Sequence, residues 1–251
     1  MNWNINTATI VGRDHEFSRK NRQDFLHTYQ SDELIVGVVC DGCGESKYSE
    51  VGAALIGTFI VNYLKSFNGI INFNHIKGFK EILEYDLTCF LNNIENLVFF
   101  NDNCEKEKIS FIKEFLLSTC LFCILTKDSV IIANCGDGII IINDEIKIID
   151  QYSIPEYIAY KIVPKEALEK TPSELSFFNI QVFDCKDINK IVIGSDGIQP
   201  LIDENLILHI YGKQKRQLQR KFNVWQNEGV FGDDASCIVI EKQNGDKDSS
   251  L

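Results

Sequence analysis

The chain has 251 residues, 45% of them hydrophobic, and a formal net charge of -11 at pH 7. That length and composition suffice for one sizeable core, whereas the charge excludes nonspecific binding to nucleic acid or an anionic membrane, both of which attract basic surfaces. An anionic substrate would need local help, most simply from bound metal.

The N-terminal MNWNINTATIVGR lacks the basic and apolar regions of a signal peptide, and residues 4–12 read as a strand. SRKNRQDF is a polar turn leading into a short strand, and LIVGVVC at 34–40 is a near-continuous apolar strand suited to burial on both faces. After the loop at Asp41, SEVGAALIGTFIVNYLKSF has apolar residues at helical spacing, with Ser49 as its N-cap. A second helix, from about Ile76 to Phe100, is apolar on one face and polar at Lys80, Glu81, Glu84, Asn92, Asn93 and Glu95.

From Leu116 to Ile149 short β-rich runs are separated by KD, GDG and DE, which predicts an antiparallel meander. Residues 151–175 hold three of the four prolines and read as irregular. SFFNIQVF and KIVIGS are two further strands. They are followed by a short helix after Asp196, a polar helical segment around Gly212 to Gln226, and a final strand, ASCIVIE.

Residues 242–251 read as a disordered polar tail on a single domain spanning 1–241. Strands bracketing helix pairs predict an α+β sandwich with two sheets in the middle and helices outside. The longest apolar stretches, Val51 to Leu64 and Val130 to Ile142, are too short or interrupted to cross a bilayer, so a soluble cytoplasmic protein is expected.

Nine scattered cysteines, an odd number without framework spacing, fit a reducing compartment. Two C-x-x-C matches, Cys40/Cys43 and Cys120/Cys123, raise a zinc reading. In a strand, however, positions three apart face opposite ways, so Cys120 and Cys123 cannot reach one ion. Packing cysteines explain them better.

The carboxylates are the more informative feature. Three apolar runs end in Asp-Gly, at Asp41-Gly42, Asp137-Gly138 and Asp196-Gly197, and Asp233-Asp234 opens the last strand. Strand tips far apart in sequence can converge, and convergent carboxylates bind hard divalent cations. Taken singly, Asp-Gly is also the favoured type I′ hairpin turn, and for Asp137 alone the turn is the better reading.

In order, the chain offers R-K-N-R-Q-D (Arg19 to Asp24), V-V-C-D-G-C-G (Val38 to Gly44), S-T (Ser118, Thr119), A-N-C-G-D-G (Ala133 to Gly138), G-S-D-G (Gly194 to Gly197) and G-D-D-A-S (Gly232 to Ser236). This ordered set resembles the metal-dependent protein phosphatases of the protein phosphatase 2C family, compact bacterial members in particular. The resemblance covers about residues 8–241. It implies a four-layer α-β-β-α sandwich of two central antiparallel sheets flanked by helix pairs, with the metal site at one end.

The resemblance also implies roles. Asp41 would bridge two Mg²⁺ or Mn²⁺ ions with the Gly42 carbonyl on one of them, and Asp196 and Asp233 would be further ligands of the first. Asp24 would act near the second through bound water, and Asp137 with Asp196 would hold a weaker third ion. Arg19 would grip substrate phosphate with its planar fork. The reaction implied is hydrolysis of phosphoserine or phosphothreonine in a protein by a water shared between two ions about 3.5 to 4 Å apart, with a cognate serine/threonine kinase as counterpart.

The chain departs from the family where D-G-x-G-G becomes D-G-C-G-E, placing Glu45 in the loop. Glu45 is either a solvated loop residue or one that adjusts metal affinity. No general acid is identifiable: Cys43 follows Asp41-Gly42, and His15, His27, His75 and His209 lie outside the motifs. His15, in a polar turn, reads as a surface residue. Two rival readings remain: a catalytically weak pseudophosphatase acting as a regulatory binding module, and another metal-dependent phosphohydrolase acting on small phosphate esters or nucleotides. The second lacks both a D-x-D-x-[TV] motif and a phosphate-binding G-x-x-x-x-G-K-[ST] loop.

Overall fold

The computed structural model describes residues 1–67, 76–99, 104–151, 156–164, 167, 177–214 and 216–243. Among the described residues, ten strands form two antiparallel five-stranded sheets. The first sheet orders β1 (Trp3–Ile10), β10 (Ala235–Lys242), β9 (Lys190–Gly194), β6 (Gly138–Ile142) and β7 (Glu145–Ile149). The second orders β2 (Phe25–Gln30), β3 (Ile35–Cys40), β4 (Cys120–Leu125), β5 (Ser129–Cys135) and β8 (Asn179–Asp184).

Three apolar layers hold the sandwich together. Ile35, Val39, Leu121, Cys123, Ile193 and Ile238 pack between the sheets. Val36, Val38, Phe122 and Ile131 point the other way, against α2 (Ser49–Ser66) and α3 (Ile76–Val98). This explains why β3 and β4 are apolar at every position: both faces are covered. On the far side of the first sheet, Ile139, Val192 and Val239 meet Leu218, Phe222 and Trp225 of α6 (Gln217–Glu228). The two-sheet α+β architecture expected from the sequence is therefore the one observed.

Several local expectations need correction. Residues 13–17, between the first strand and the polar turn SRKNRQDF, carry no helical expectation but form with Ser18 a short helix, α1 (Arg13–Ser18). Ser49 is the first residue of α2 and not its N-cap; its Oγ donates to the Cys43 carbonyl at 3.0 Å, so the hydroxyl fastens the preceding loop. The polar-to-apolar stretch before β4 contains α4 (Glu105–Phe111) and a wider-wound turn, Ile112–Leu116, neither of which the periodicity signalled.

The meander is instead two hairpins in different sheets, β4–β5 in the second and β6–β7 in the first. Gly136 at φ 82 and Gly138 at φ 147 let the chain leave one layer and enter the other between them. Asp137 thus sits at a crossover between sheets and not in a hairpin turn.

Cys120 packs in the core under α2 while Cys123 packs between the sheets, as the strand geometry requires. None of the nine cysteines forms a disulfide. The tail expected from residue 242 begins one residue inside β10, which ends at Lys242, and residues 244–251 lie outside the described residues, as do His75 and much of 151–175.

Candidate metal centre

Strand ends from both sheets meet at one end of the sandwich. Asp41 follows β3, Asp24 precedes β2, Asp196 follows β9 and Asp233 precedes β10. The two loops around Asp41 are fixed by backbone pairing. Thr119 donates its N–H to the Asp41 carbonyl at 2.8 Å and its Oγ1 accepts the Asp41 N–H at 3.1 Å, while Gly42 pairs with Ser118 and donates to the Gln23 carbonyl at 3.2 Å. The Ser118-Thr119 pair in the ordered motif set is thus a brace for the acidic loop.

Glycine is required at two of these turns by close approach. A Cβ on Gly42 would lie 2.7 Å from Ser49 Oγ and 2.9 Å from the Gln23 carbonyl oxygen, and one on Gly197 would overlap the Asp234 carbonyl. Both glycines let an acidic loop press against its neighbour.

Asp24 is buried, and Ser195 Oγ donates to its Oδ2 at 2.7 Å. Ser195 Oγ in turn accepts the Ser236 N–H at 3.0 Å, and Thr9 and Ser236 share a 2.7 Å hydroxyl contact. This hydroxyl chain locks Asp24 to β9 and β10 across the sandwich.

The electrostatics show that the carboxylates crowd one another. Burial pushes Asp24 up to about 8, with Ser195 and Ser236 opposing the rise and Asp234 adding to it. Asp41 is held well above the usual carboxylate range by burial, then by Asp24, Asp196 and Asp233. Asp24 and Asp41 lie within hydrogen-bond reach, as do Asp41 and Asp196. Burial also raises Asp233, and it raises Asp137, which accepts the Gln151 N–H at 2.8 Å and faces Asp196, to about 6.

No lysine or arginine forms an ion pair with any of these five carboxylates among the described residues. Among the described residues Asp24 Oδ1, which is buried, has no hydrogen-bond partner. A buried carboxylate oxygen without a hydrogen-bond partner, in a carboxylate flanked by Asp41 and Asp234, carries a large desolvation cost unless a cation compensates it. The donor set is oxygen only, which fits a hard divalent cation such as Mg²⁺ or Mn²⁺ and not zinc.

Arg19 occupies the C-terminal cap of α1 in the left-handed region at φ 56 and is exposed. Its neighbour Lys20 donates from Nζ to the Gly44 carbonyl at 2.6 Å, which fastens this segment to the Asp41 loop. Glu45 is exposed in that loop, matching the solvated reading.

Sequence reasoning missed two groups. The first is the His15–Asp234 pair. His15 is not a surface residue: it is buried, because α1 turns it toward the Asp233-Asp234 loop, with Nδ1 2.9 Å from Asp234 Oδ2 but off the line of a good hydrogen bond. Asp234 also accepts the Gly12 N–H at 2.7 Å and the Gln23 N–H at 2.6 Å. His15, Asp233 and Asp234 offer ligand atoms within 4.8 Å of one another. With the Asp234 oxygens already engaged, that pair serves as a brace behind Asp233. The adjacent acids in G-D-D-A-S were the available signal, since two neighbouring residues leaving a turn face different ways.

The second is Tyr157, whose buried phenol adjoins the Cys43 thiol and faces Asp41; burial is the main cause that raises it, with Cys43 and Asp41 adding to the effect. Nothing in its local sequence marks it, because Tyr157 is the N-cap of a 3₁₀ segment, Ile158–Ile162, far from Cys43 in sequence.

The protein phosphatase 2C family model matches residues 11–229. A protein from Mycoplasma genitalium, named as a candidate protein phosphatase, is 22% identical over 258 residues, covering 90% of this chain and 91% of that one. The solved serine/threonine phosphatase Stp1 from Staphylococcus aureus superposes with a TM-score of 0.61 at 16% identity, covering 96% of this chain and 95% of that one. RsbX, solved in complex with magnesium, superposes with a TM-score of 0.55 at 13% identity, covering 94% of each chain. At these identities the solved structures establish a shared fold.

Proposed function

This chain belongs to the protein phosphatase 2C family, and on that premise we propose that it is a Mg²⁺- or Mn²⁺-dependent phosphatase of phosphoserine and phosphothreonine in proteins. The observation that carries the reading is the convergence of Asp24, Asp41, Asp196 and Asp233 from four strand ends, with one buried Asp24 oxygen left without a partner.

Asp41, Asp196 and Asp233, with the Gly42 carbonyl, would hold the ions directly, Asp24 would act through bound water, and Asp137 with Asp196 would take a weaker third. Bound there, two such ions supply an activated water and neutralise charge on the phosphoryl group.

The chain's own residues do the rest. Thr119 and Ser118 fix the backbone that presents Asp41 and Gly42. Ser195 holds Asp24 in one orientation. Arg19 receives the phosphate on a planar guanidinium and orients it for in-line attack. Buried Tyr157 walls one side of the loop beside Cys43.

The partner implied is a phosphorylated protein, with a serine/threonine kinase making the opposite modification. We place the catalytic unit in residues 1–241 and the protein in the cytoplasm; among the described residues no helix is long and apolar enough to cross a membrane.

The test is hydrolysis of p-nitrophenyl phosphate and a phosphothreonine peptide in EDTA, Mg²⁺ or Mn²⁺, comparing wild type with Asp196→Ala. Metal-restored activity that the variant loses is expected. A folded wild type inert in both metals would sink the reading and favour the regulatory pseudophosphatase.

A further inference from the structure

β7 is an edge strand of the first sheet, and every residue from Glu145 to Ile148 is exposed. Among the described residues no strand pairs with its outer side. Ile146 and Ile148 are 41% and 43% exposed, and Val182 on β8, the edge strand of the second sheet, is 42% exposed. The cleft between the two edges is lined by Ile140, Ile142, Val182 and Phe183. Apolar side chains thus gather along one open side of the sandwich.

The register fixes which backbone groups are free there. Asn143, just beyond β6, donates its N–H to the Lys190 carbonyl at 2.9 Å. By the alternation of an antiparallel ladder, Ile139 and Ile141 therefore bond to β9, while Ile140 and Ile142 bond to β7. Their partners on β7 are Lys147 and Glu145. The N–H and C=O groups of Ile146 and Ile148 point the other way, out of the sheet, and an unpaired row of this kind is a template for another strand.

The side chains say which strand. Glu145 and Lys147 project from one face of β7 and Ile146 and Ile148 from the other. Neither Glu145 nor Lys147 forms an ion pair among the described residues. When a second β7 runs antiparallel about a two-fold axis at Ile146, the free groups of the two Ile146 residues bond to each other. Glu145 of each copy then faces Lys147 of the other in a non-hydrogen-bonded pair, where the α-carbons are about 4.5 Å apart and side chains are closest. Moving the axis by one residue in either direction sets Glu145 against Glu145 or Lys147 against Lys147, and like charges directly opposite destabilise a sheet.

We propose that β7 is a self-complementary edge through which two copies of this chain pair, joining their first sheets side by side. A second copy is the occupant because the strand's charges complement themselves in this one symmetric register and repel in the two beside it. Backbone bonds and the apolar edge hold the copies together, and the charge pairs choose the register. The contact is small, so the dimer forms at high protein concentration.

The experiment is sedimentation velocity from about 5 to 500 µM, a range that brackets a weak association, on wild type, Glu145→Lys, Lys147→Glu and the double variant carrying both changes. Wild type should pass from monomer to dimer across the series. Each single substitution opposes like charges twice and should weaken dimerisation by about tenfold or more, and the double variant should recover to within about threefold of wild type. That recovery cannot come from a chain that has failed to fold. A wild type still monomeric at the highest concentration overturns the proposal and leaves the edge to a strand of another protein. A dimer indifferent to both single substitutions, or one that the double variant does not recover, places the interface elsewhere and also overturns it. The readout is mass and not activity, so the result stands or falls apart from the phosphatase reading.

Discussion

Ser195 Oγ donates to Asp24 Oδ2 at 2.7 Å, joining residues 171 apart in sequence, while the other Asp24 oxygen is buried without a hydrogen-bond partner among the described residues. One oxygen of this carboxylate is thus fixed by the fold and the other is left for something the chain does not supply. The arrangement holds an acid in place at a cost to stability that a cation would relieve.

That cost has a pH signature. Asp24 rises from 3.8 to about 8 in the folded protein, and Asp41 moves the same way. With folded values above unfolded ones, the native state binds more protons between these limits, so its stability falls as pH rises from about 5 to 8. Thermal melts in EDTA should therefore show a lower Tm at pH 8 than at pH 5.5. Mg²⁺ or Mn²⁺ should raise Tm more at pH 8, and Asp24→Asn should flatten the slope. Equal metal shifts at both pH values would contradict a cation held by this cluster.

Two acidic positions in the site should respond oppositely. Asp41 is crowded by Asp24, Asp196 and Asp233, so Asp41→Asn removes repulsion and should raise Tm in EDTA while eliminating the metal shift. Loss of outer-shell partners alone costs about 10- to 100-fold in metal sites, so activity should fall by more than about 100-fold. Asp234 instead accepts the Gly12 and Gln23 N–H groups beside His15. Asp234→Asn puts an NH₂ against one of those donors and should destabilise by about 3 kcal/mol with or without metal. Denaturant titration of the two variants separates ligand from brace.

Much of this was legible in the chain. Asp41, Asp196 and Asp233 each adjoin a strand whose apolar run gives its register, so their placement at strand ends followed from the pattern. The helices α2 and α3 were read nearly to their ends, because burial on one face leaves a strong 3.6-residue period. What could not be read was whatever depends on a partner distant in sequence. The crossover at Asp137 looks like a hairpin turn until β5 and β6 are seen in separate sheets. His15 looks like a polar-turn residue until α1 sets it against Asp234, 219 positions away in number but 2.9 Å in space.

The glycines of the acidic loops differ in what they tolerate. An added Cβ at Gly197 would overlap the Asp234 carbonyl, a backbone atom that cannot swing aside, whereas nothing lies within 4 Å of a Cβ at Gly44. Gly197→Ala should cost about 3 kcal/mol and displace Asp196, lowering metal affinity. Gly44→Ala should stay within about 0.5 kcal/mol of wild type. Chemical denaturation together with Mn²⁺ titration checks both, and a neutral Gly197→Ala would show that the two loops are not in contact.

Arg19 allows its head group to be tested apart from its backbone. At φ 56 it sits in the left-handed region, which any non-glycine residue pays to occupy, so Arg19→Lys keeps that cost and the positive charge but loses the bidentate fork. Arg19→Gly relieves the strain and removes the charge. If the side chain grips phosphate, KM for a phosphothreonine peptide should rise about threefold or more in Arg19→Lys and about tenfold or more in Arg19→Gly. The glycine variant should nonetheless be the more stable protein, by about 1 kcal/mol. Stability and binding then move in opposite directions along the series, a pattern that a purely structural arginine could not produce. Steady-state kinetics beside thermal melts would reveal it, and unchanged KM in both variants would remove Arg19 from the site.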